Sequence, residues 1–159
     1  TLSWNEAVRI DWGTILLFGG GLVLGTLLAD TGLAEAMGKG MVDSLGVSSL
    51  LAITVLSVVI AVIISETTSN TASAAVVVPI VIPIAVAAGV SPVIPALAAT
   101  FGASYGFMLP VSTPPNAIVY GSGLIPITKM VRSGIVFDLI GIVLVVVGVS
   151  LMANLVGIA

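Results

Sequence analysis

Two short polar stretches interrupt an otherwise apolar chain: Glu66-Thr67-Thr68-Ser69-Asn70-Thr71 and Pro110-Val111-Ser112-Thr113-Pro114-Pro115-Asn116. Hydroxyls, an Asn amide oxygen and unwound backbone carbonyls are hard oxygen ligands of the kind a small cation takes. Each stretch also leads into an apolar run that reads as helix. Ser69-Asn70-Thr71 precedes Ala72-Ser73-Ala74-Ala75, so Asn70 or a neighbour can cap a helix there. A second helix begins near Pro114 or Pro115, because a first-turn N–H has no intrahelical partner and proline gives up nothing by lacking one. Helix N-termini carry free donors and partial positive charge, and they attract carboxylate or sulfate. Neither stretch contains Lys or Arg, so a bound anion has to be balanced by helix dipoles and co-bound cations. That chemistry is cation-coupled anion transport, and broken helices serving both roles recur in secondary transporters.

The residue inventory narrows the alternatives. The 159 residues contain no His and no Cys, which removes thiolate and imidazole metal sites, Cys nucleophiles, His triads and His proton relays. A membrane enzyme would need a metal-ligand set or a Ser–His or Ser–Lys pair, and the polar stretches offer none. Seven acids and four bases give a net charge of -3, too sparse for a nucleic-acid surface. With 58% hydrophobic and 7% charged residues, against about a quarter charged in a soluble domain, the chain cannot cover a water-facing globule. The fold class expected is an all-α polytopic membrane protein, with the lipid bilayer as its solvent.

The charges mark out the elements. Residues 12–29 are uncharged, 31–43 carry mixed charge and read as a surface helix, and 44–65 are again uncharged. No charge occurs from 67 to 128; as one helix these residues would span roughly 93 Å, about three bilayer cores, so they fold back. The expected pieces are helical runs at 48–65 and 72–88, a turn around Val90-Ser91-Pro92, a helix near 95–109, the break at 110–116, and a last span at 134–157. The polar knot at 66–71 reads as two thin spans or as a re-entrant hairpin. A Ser/Thr/Asn tip and Pro79 and Pro83 in the returning arm favour the hairpin. Gly134, Gly141 and Gly148 form a seam suited to another helix, and Gly21/Gly25 and Gly102/Gly106 have the GxxxG spacing of close contacts. Gly19-Gly20-Gly21 lacks the following Lys of a phosphate loop and reads as packing. Glu66 is a functional candidate as a carboxylate at the tip, with an aqueous mouth as the plainer alternative. The chain begins at Thr1 without a basic leader or cleavage site, and is expected to be part of a longer protein.

Ser69-Asn70-Thr71 with its Ala-Ser-Ala-Ala continuation, and the string Phe107-Met108-Leu109-Pro110-Val111-Ser112-Thr113-Pro114-Pro115-Asn116-Ala117-Ile118-Val119-Tyr120-Gly121-Ser122-Gly123, closely resemble the divalent anion/sodium symporter family. The resemblance implies the second of two inverted repeats, lacking its first span. Its parts would be a span at 13–30, a surface connecting helix at 31–47, a re-entrant hairpin at 48–88 with its tip at 65–71, a broken span at 94–124, and a last span at 134–157. It implies one sodium ion held by Ser65, Asn70 and backbone oxygens near Ser112 and Pro114. The anion would meet Ser69, Asn70, Thr71, Thr113 and Pro114. It further implies an elevator-type symporter for C4-dicarboxylates, with sulfate or exchange as alternatives, working with a missing N-terminal repeat in a homodimer. An assembly half-module that binds nothing is the competing reading, and it predicts that Asn70 and Thr71 tolerate Ala. The bias of Arg9, Lys129 and Arg132 to one side against Lys39 on the other places the hairpin side and the C-terminus outside the cytoplasm of a cell-membrane protein.

Overall fold

The computed structural model describes residues 3, 4, 8, 12–34, 36, 37, 39, 40 and 49–157. Within them run α1 (Trp12–Asp30), α2 (Leu50–Thr67), α3 (Asn70–Ala87), α4 (Val93–Gly102), α5 (Pro114–Gly121) and α6 (Ile127–Val156), and no strand occurs among the described residues. The helices α2, α3 and α6 are each long and apolar enough to cross a membrane. Of the surface helix expected over 31–47, residues 33, 34, 36, 37, 39 and 40 are helical. Residues 35, 38 and 41–47 lie outside the described residues, as does Arg9.

Side-chain caps set the ends of these elements. Ser49, Ser69 and Thr113 each accept a backbone N–H from three residues on, starting α2, α3 and α5. The helix α6 stops at Gly157, whose φ of 73° suits a residue without Cβ. Between α2 and α3 the chain reverses within Thr68 and Ser69, and the two arms are clamped by Ser73 Oγ donating to the Ala61 carbonyl at 2.7 Å.

The helix α1 lies along α3, and the contact follows from two prolines. Pro79 and Pro83 sit inside α3 and have no N–H, so the carbonyls one turn back, on Ala75 and Pro79, lose their intrahelical donor. Those two carbonyls face Gly21 and Gly25. A Cβ on Gly21 would collide with the Ala75 oxygen, and one on Gly25 would stand 2.8 Å from the Pro79 oxygen. The GxxxG stripe thus admits the backbone that the prolines leave unpaired, at a range where Cα–H groups contribute weak hydrogen bonds.

The core is shared by α2, α4 and α6, through Val58, Val62, Ile94, Ala98, Val145 and Val149. A second cluster of Ala61, Val77, Val81, Ala99 and Ala103 joins α2, α3 and α4. Gly102 lets α4 approach the Val58 backbone, a Cβ there falling 3.2 Å from the Val58 oxygen. Large apolar side chains elsewhere point outward, among them Leu139, Val143 and Leu151 of α6, as a lipid-facing surface requires.

Three features differ from the sequence expectation. The helix α4 ends at Gly102 rather than near 109, so the break extends over 103–113, because the backbone there is claimed by partners on α2. The helix α6 starts at Ile127 rather than 134; its 30 residues reach about 45 Å, beyond a ~30 Å hydrocarbon core, and its added turns carry the exposed Lys129 and Arg132. The glycine seam of α6 receives the break rather than another helix. Gly134 lies under the Phe107–Met108 backbone and Gly141 under the Tyr105 ring, while nothing stands within 4 Å of a Cβ on Gly148.

Candidate functional site

The tip of the α2–α3 hairpin and the break between α4 and α5 are stitched together by side chains of α2. The Glu66 carboxylate is 3% exposed. It accepts the Met108 N–H (2.9 Å to Oε1, 3.1 Å to Oε2) and the Leu109 N–H (2.9 Å to Oε2). The Ser112 hydroxyl lies 2.9 Å from both Glu66 Oε2 and the Glu66 carbonyl. Glu66 therefore anchors the unwound loop by charge-assisted hydrogen bonds to backbone that no helix satisfies. This replaces the aqueous-mouth reading: a carboxylate with three donors inside the fold is a structural ligand of the break.

Next to Glu66 in the chain, Ser65 opens a cluster of oxygens in the same junction. Ser65 is fully buried, and its hydroxyl lies 2.8 Å from Asn70 Oδ1 and 2.6 Å from the Ala103 carbonyl. Three oxygens share a single proton, a surplus of acceptors that a small cation satisfies better than one hydroxyl hydrogen can. Gly106 closes the pocket on the break side; a Cβ there would stand 3.1 Å from both Ser65 Oγ and Ser112 Cβ. The loop thus needs glycine at 106 for space.

The half-buried Asn70 projects its amide oxygen inward, and its amide nitrogen has no partner among the described residues. The exposed Ser69 uses its oxygen to cap α3, accepting the Ala72 N–H at 3.2 Å, and keeps its hydroxyl proton available. Thr71 is exposed and makes no side-chain hydrogen bond among the described residues. On the other element Thr113, half-buried, accepts the Asn116 N–H at 3.3 Å and likewise keeps its proton. Ser65, Asn70 and Ser112 are gathered at the tip–break junction, with Thr113 and the exposed Pro114 next in chain to Ser112. No hydrogen bond joins Ser69 or Thr71 to the break.

The two helix starts are not equivalent. At α3 the first-turn N–H groups of Asn70 and Thr71 are free, since the Ser69 cap takes the next ones. At α5, Pro114 and Pro115 have no N–H and Thr113 takes that of Asn116. The second N-terminus therefore offers the dipole and the Thr113 hydroxyl but no free backbone donor, contrary to the expectation of two alike.

Two residues that sequence reasoning passed over belong to this region. Asn116 donates from Nδ2 to the Gly106 and Leu109 carbonyls, 3.0 Å each, bracing the loop from the α5 side. Asp138 of α6 is 4% exposed and faces Glu66. A lone Asp inside the apolar stretch 133–157 was the signal available for it, because ionisable residues at membrane depth mark functional positions.

Comparison with known proteins places the chain in one family. The model of the sodium:sulfate symporter transmembrane region matches residues 1–158. The sodium-dependent dicarboxylate transporter SdcS of Staphylococcus saprophyticus is 39% identical over 91% of this chain and 28% of its own length. The Staphylococcus aureus transporter of the same name is 37% identical over 91% of this chain and 28% of its own. An uncharacterized transporter of Haemophilus influenzae is 41% identical over 90% of the chain and 31% of its own. The chain spans less than a third of the length of these relatives.

Proposed function

We propose, because this chain belongs to the sodium:sulfate symporter transmembrane family, that it forms half of the binding module of a sodium-coupled transporter for small divalent anions, C4-dicarboxylates first. The observation that carries the reading is the oxygen cluster of Ser65 Oγ, Asn70 Oδ1 and the Ala103 carbonyl, with 2.6–2.8 Å separations and one proton among the three. Sodium enters that cluster as cargo, with backbone oxygens near Ser112 and Pro114 completing its shell. The anion lies on the other side of Asn70. There the Asn70 amide nitrogen, the Thr71 N–H and hydroxyl, and the Ser69 and Thr113 hydroxyls are available donors, and Pro114 shapes the wall. Asn70 then touches cation with its oxygen and anion with its nitrogen, so each cargo improves the site for the other. With no basic side chain at the tip or in the break, the sodium charge supplies most of what holds the carboxylate.

The remainder of the reading concerns the whole transporter. The α2–α3 hairpin acts as a re-entrant element whose tip meets the broken span α4–α5, forming the second of two inverted repeats. Its arms of 18 residues each are about 27 Å long, and the buried side of their tip meets the break through Glu66 and Ser65. The rest of the anion pocket comes from an N-terminal repeat, and the module moves elevator-fashion in a homodimer. The hairpin side and C-terminus are non-cytoplasmic. Sulfate is the second cargo candidate, since helix N-termini bind it as readily.

Uptake of labelled succinate into proteoliposomes holding the full-length protein tests this directly. Uptake that requires an inward sodium gradient and is suppressed by fumarate or malate is the expected result. Gradient-independent uptake, or none for succinate or sulfate by folded protein, overturns it.

A further inference from the structure

Asp138 stands on the face of α6 that carries Gly134, Gly141 and Val145, buried against the break. Both of its carboxyl oxygens are sealed from solvent and neither has a hydrogen-bond partner. The groups that face it are the Glu66 carboxylate of α2 and the Phe107 backbone N–H, which makes no hydrogen bond to it. Lys129 and Arg132, the basic residues of α6, are exposed. From α4, the other helix packed on α6, no charged group is presented.

The two carboxyl groups have unlike surroundings. Glu66 accepts from Met108, Leu109 and Ser112, a set that serves the anion, which only accepts. Asp138 has no such donors, and a second bare carboxylate beside Glu66 would place two like charges in a buried, weakly polar site without a counter-ion. One monovalent cation resolves this. A metal ion would need several more oxygen ligands, whereas Asp138 is flanked by an N–H and by a carboxylate whose lone pairs are largely taken. A proton needs one acceptor.

We propose that Asp138 is a buried proton-binding residue whose carboxyl O–H donates to the Glu66 carboxylate, fastening α6 to the back of the tip–break junction. The proton is held between α6 and the residue that anchors Met108, Leu109 and Ser112. Its release sets Asp138 against Glu66 and loosens that loop. The proposal does not depend on which cargo is carried.

The test uses the full-length protein in lipid and two readouts that need no transport. Infrared spectroscopy of the wild type at neutral pH is expected to show the C=O stretch of a protonated carboxyl, absent from Asp138→Asn. Asp138→Asn keeps a donor toward Glu66, so its melting temperature is expected to stay within a few degrees of wild type. Its stability should no longer fall as pH is raised, whereas the wild type weakens as rising pH removes the proton. Should Asp138→Asn fail to fold, Asp138→Glu is expected to shift the band. No protonated-carboxyl band in the wild type overturns the proposal. So does a band that neither variant alters, or a sodium-dependent wild-type melting temperature whose dependence disappears in Asp138→Asn, which would assign the site to a metal ion.

Discussion

The Ser112 hydroxyl lies 2.9 Å from the Glu66 carbonyl and 2.9 Å from its carboxylate, joining residues 46 positions apart. One serine in the break thereby reads both the end of α2 and the side chain that holds the loop. Ser65, one residue before Glu66, is thereby linked to the break, so an ion bound there as proposed would be coupled to it.

Glu66→Ala removes the acceptor of two backbone N–H groups and a hydroxyl in a buried site. The expected loss is roughly 3–5 kcal/mol, because each buried donor left unsatisfied costs about 1–3 kcal/mol. Thermal unfolding in detergent should show a large drop in melting temperature. A variant as stable as wild type would mean the break holds itself.

Gly106→Ala introduces a methyl 3.1 Å from Ser65 Oγ, tight enough to displace the hydroxyl from the oxygen cluster. The sodium concentration giving half-maximal stabilisation of the full-length protein should rise several-fold. Unchanged sodium dependence would move the cation elsewhere.

Thr71→Ala and Thr113→Ala separate anion binding from folding. Thr71 is exposed and unbonded, so its loss should leave stability within about 0.5 kcal/mol; Thr113 caps α5, so its loss costs about 1 kcal/mol. Both should weaken anion binding by isothermal titration, whereas Ser65→Ala should act mainly on sodium. Equal collapse of expression in all three refutes the division of roles.

Neighbouring glycines of α1 provide a control within one helix. Nothing stands within 4 Å of a Cβ on Gly20, whereas a Cβ on Gly21 meets the Ala75 carbonyl. Gly20→Ala should be neutral or stabilising by up to about 1 kcal/mol through helix propensity, and Gly21→Ala should destabilise. Melting temperatures moving in the same direction would refute the proline-carbonyl contact with α1.

The helical elements were legible because periodic apolar runs and polar caps act locally: α2 and α3 lie within two residues of the expected 48–65 and 72–88. The end of α4 was not. The first proline of the break is Pro110; the chain unwinds earlier, where Ser65 takes the Ala103 carbonyl and Glu66 the Met108 and Leu109 amides, partners a linear reading does not show. The fate of the α6 glycines was hidden for a similar reason, since a row of small residues states that something packs closely but not what.

By itself the sequence determined the solvent, from a 7% charged content that only a bilayer tolerates. It also determined the chemistry, from the oxygen ligands that remain when His and Cys are absent. Tertiary structure alone decided the roles of the two carboxylates. Glu66 beside a polar knot and Asp138 in an apolar run are, in a sequence, simply two single acids. Packing gives one of them three donors and the other none, and in a low-dielectric interior that difference fixes what each acid does.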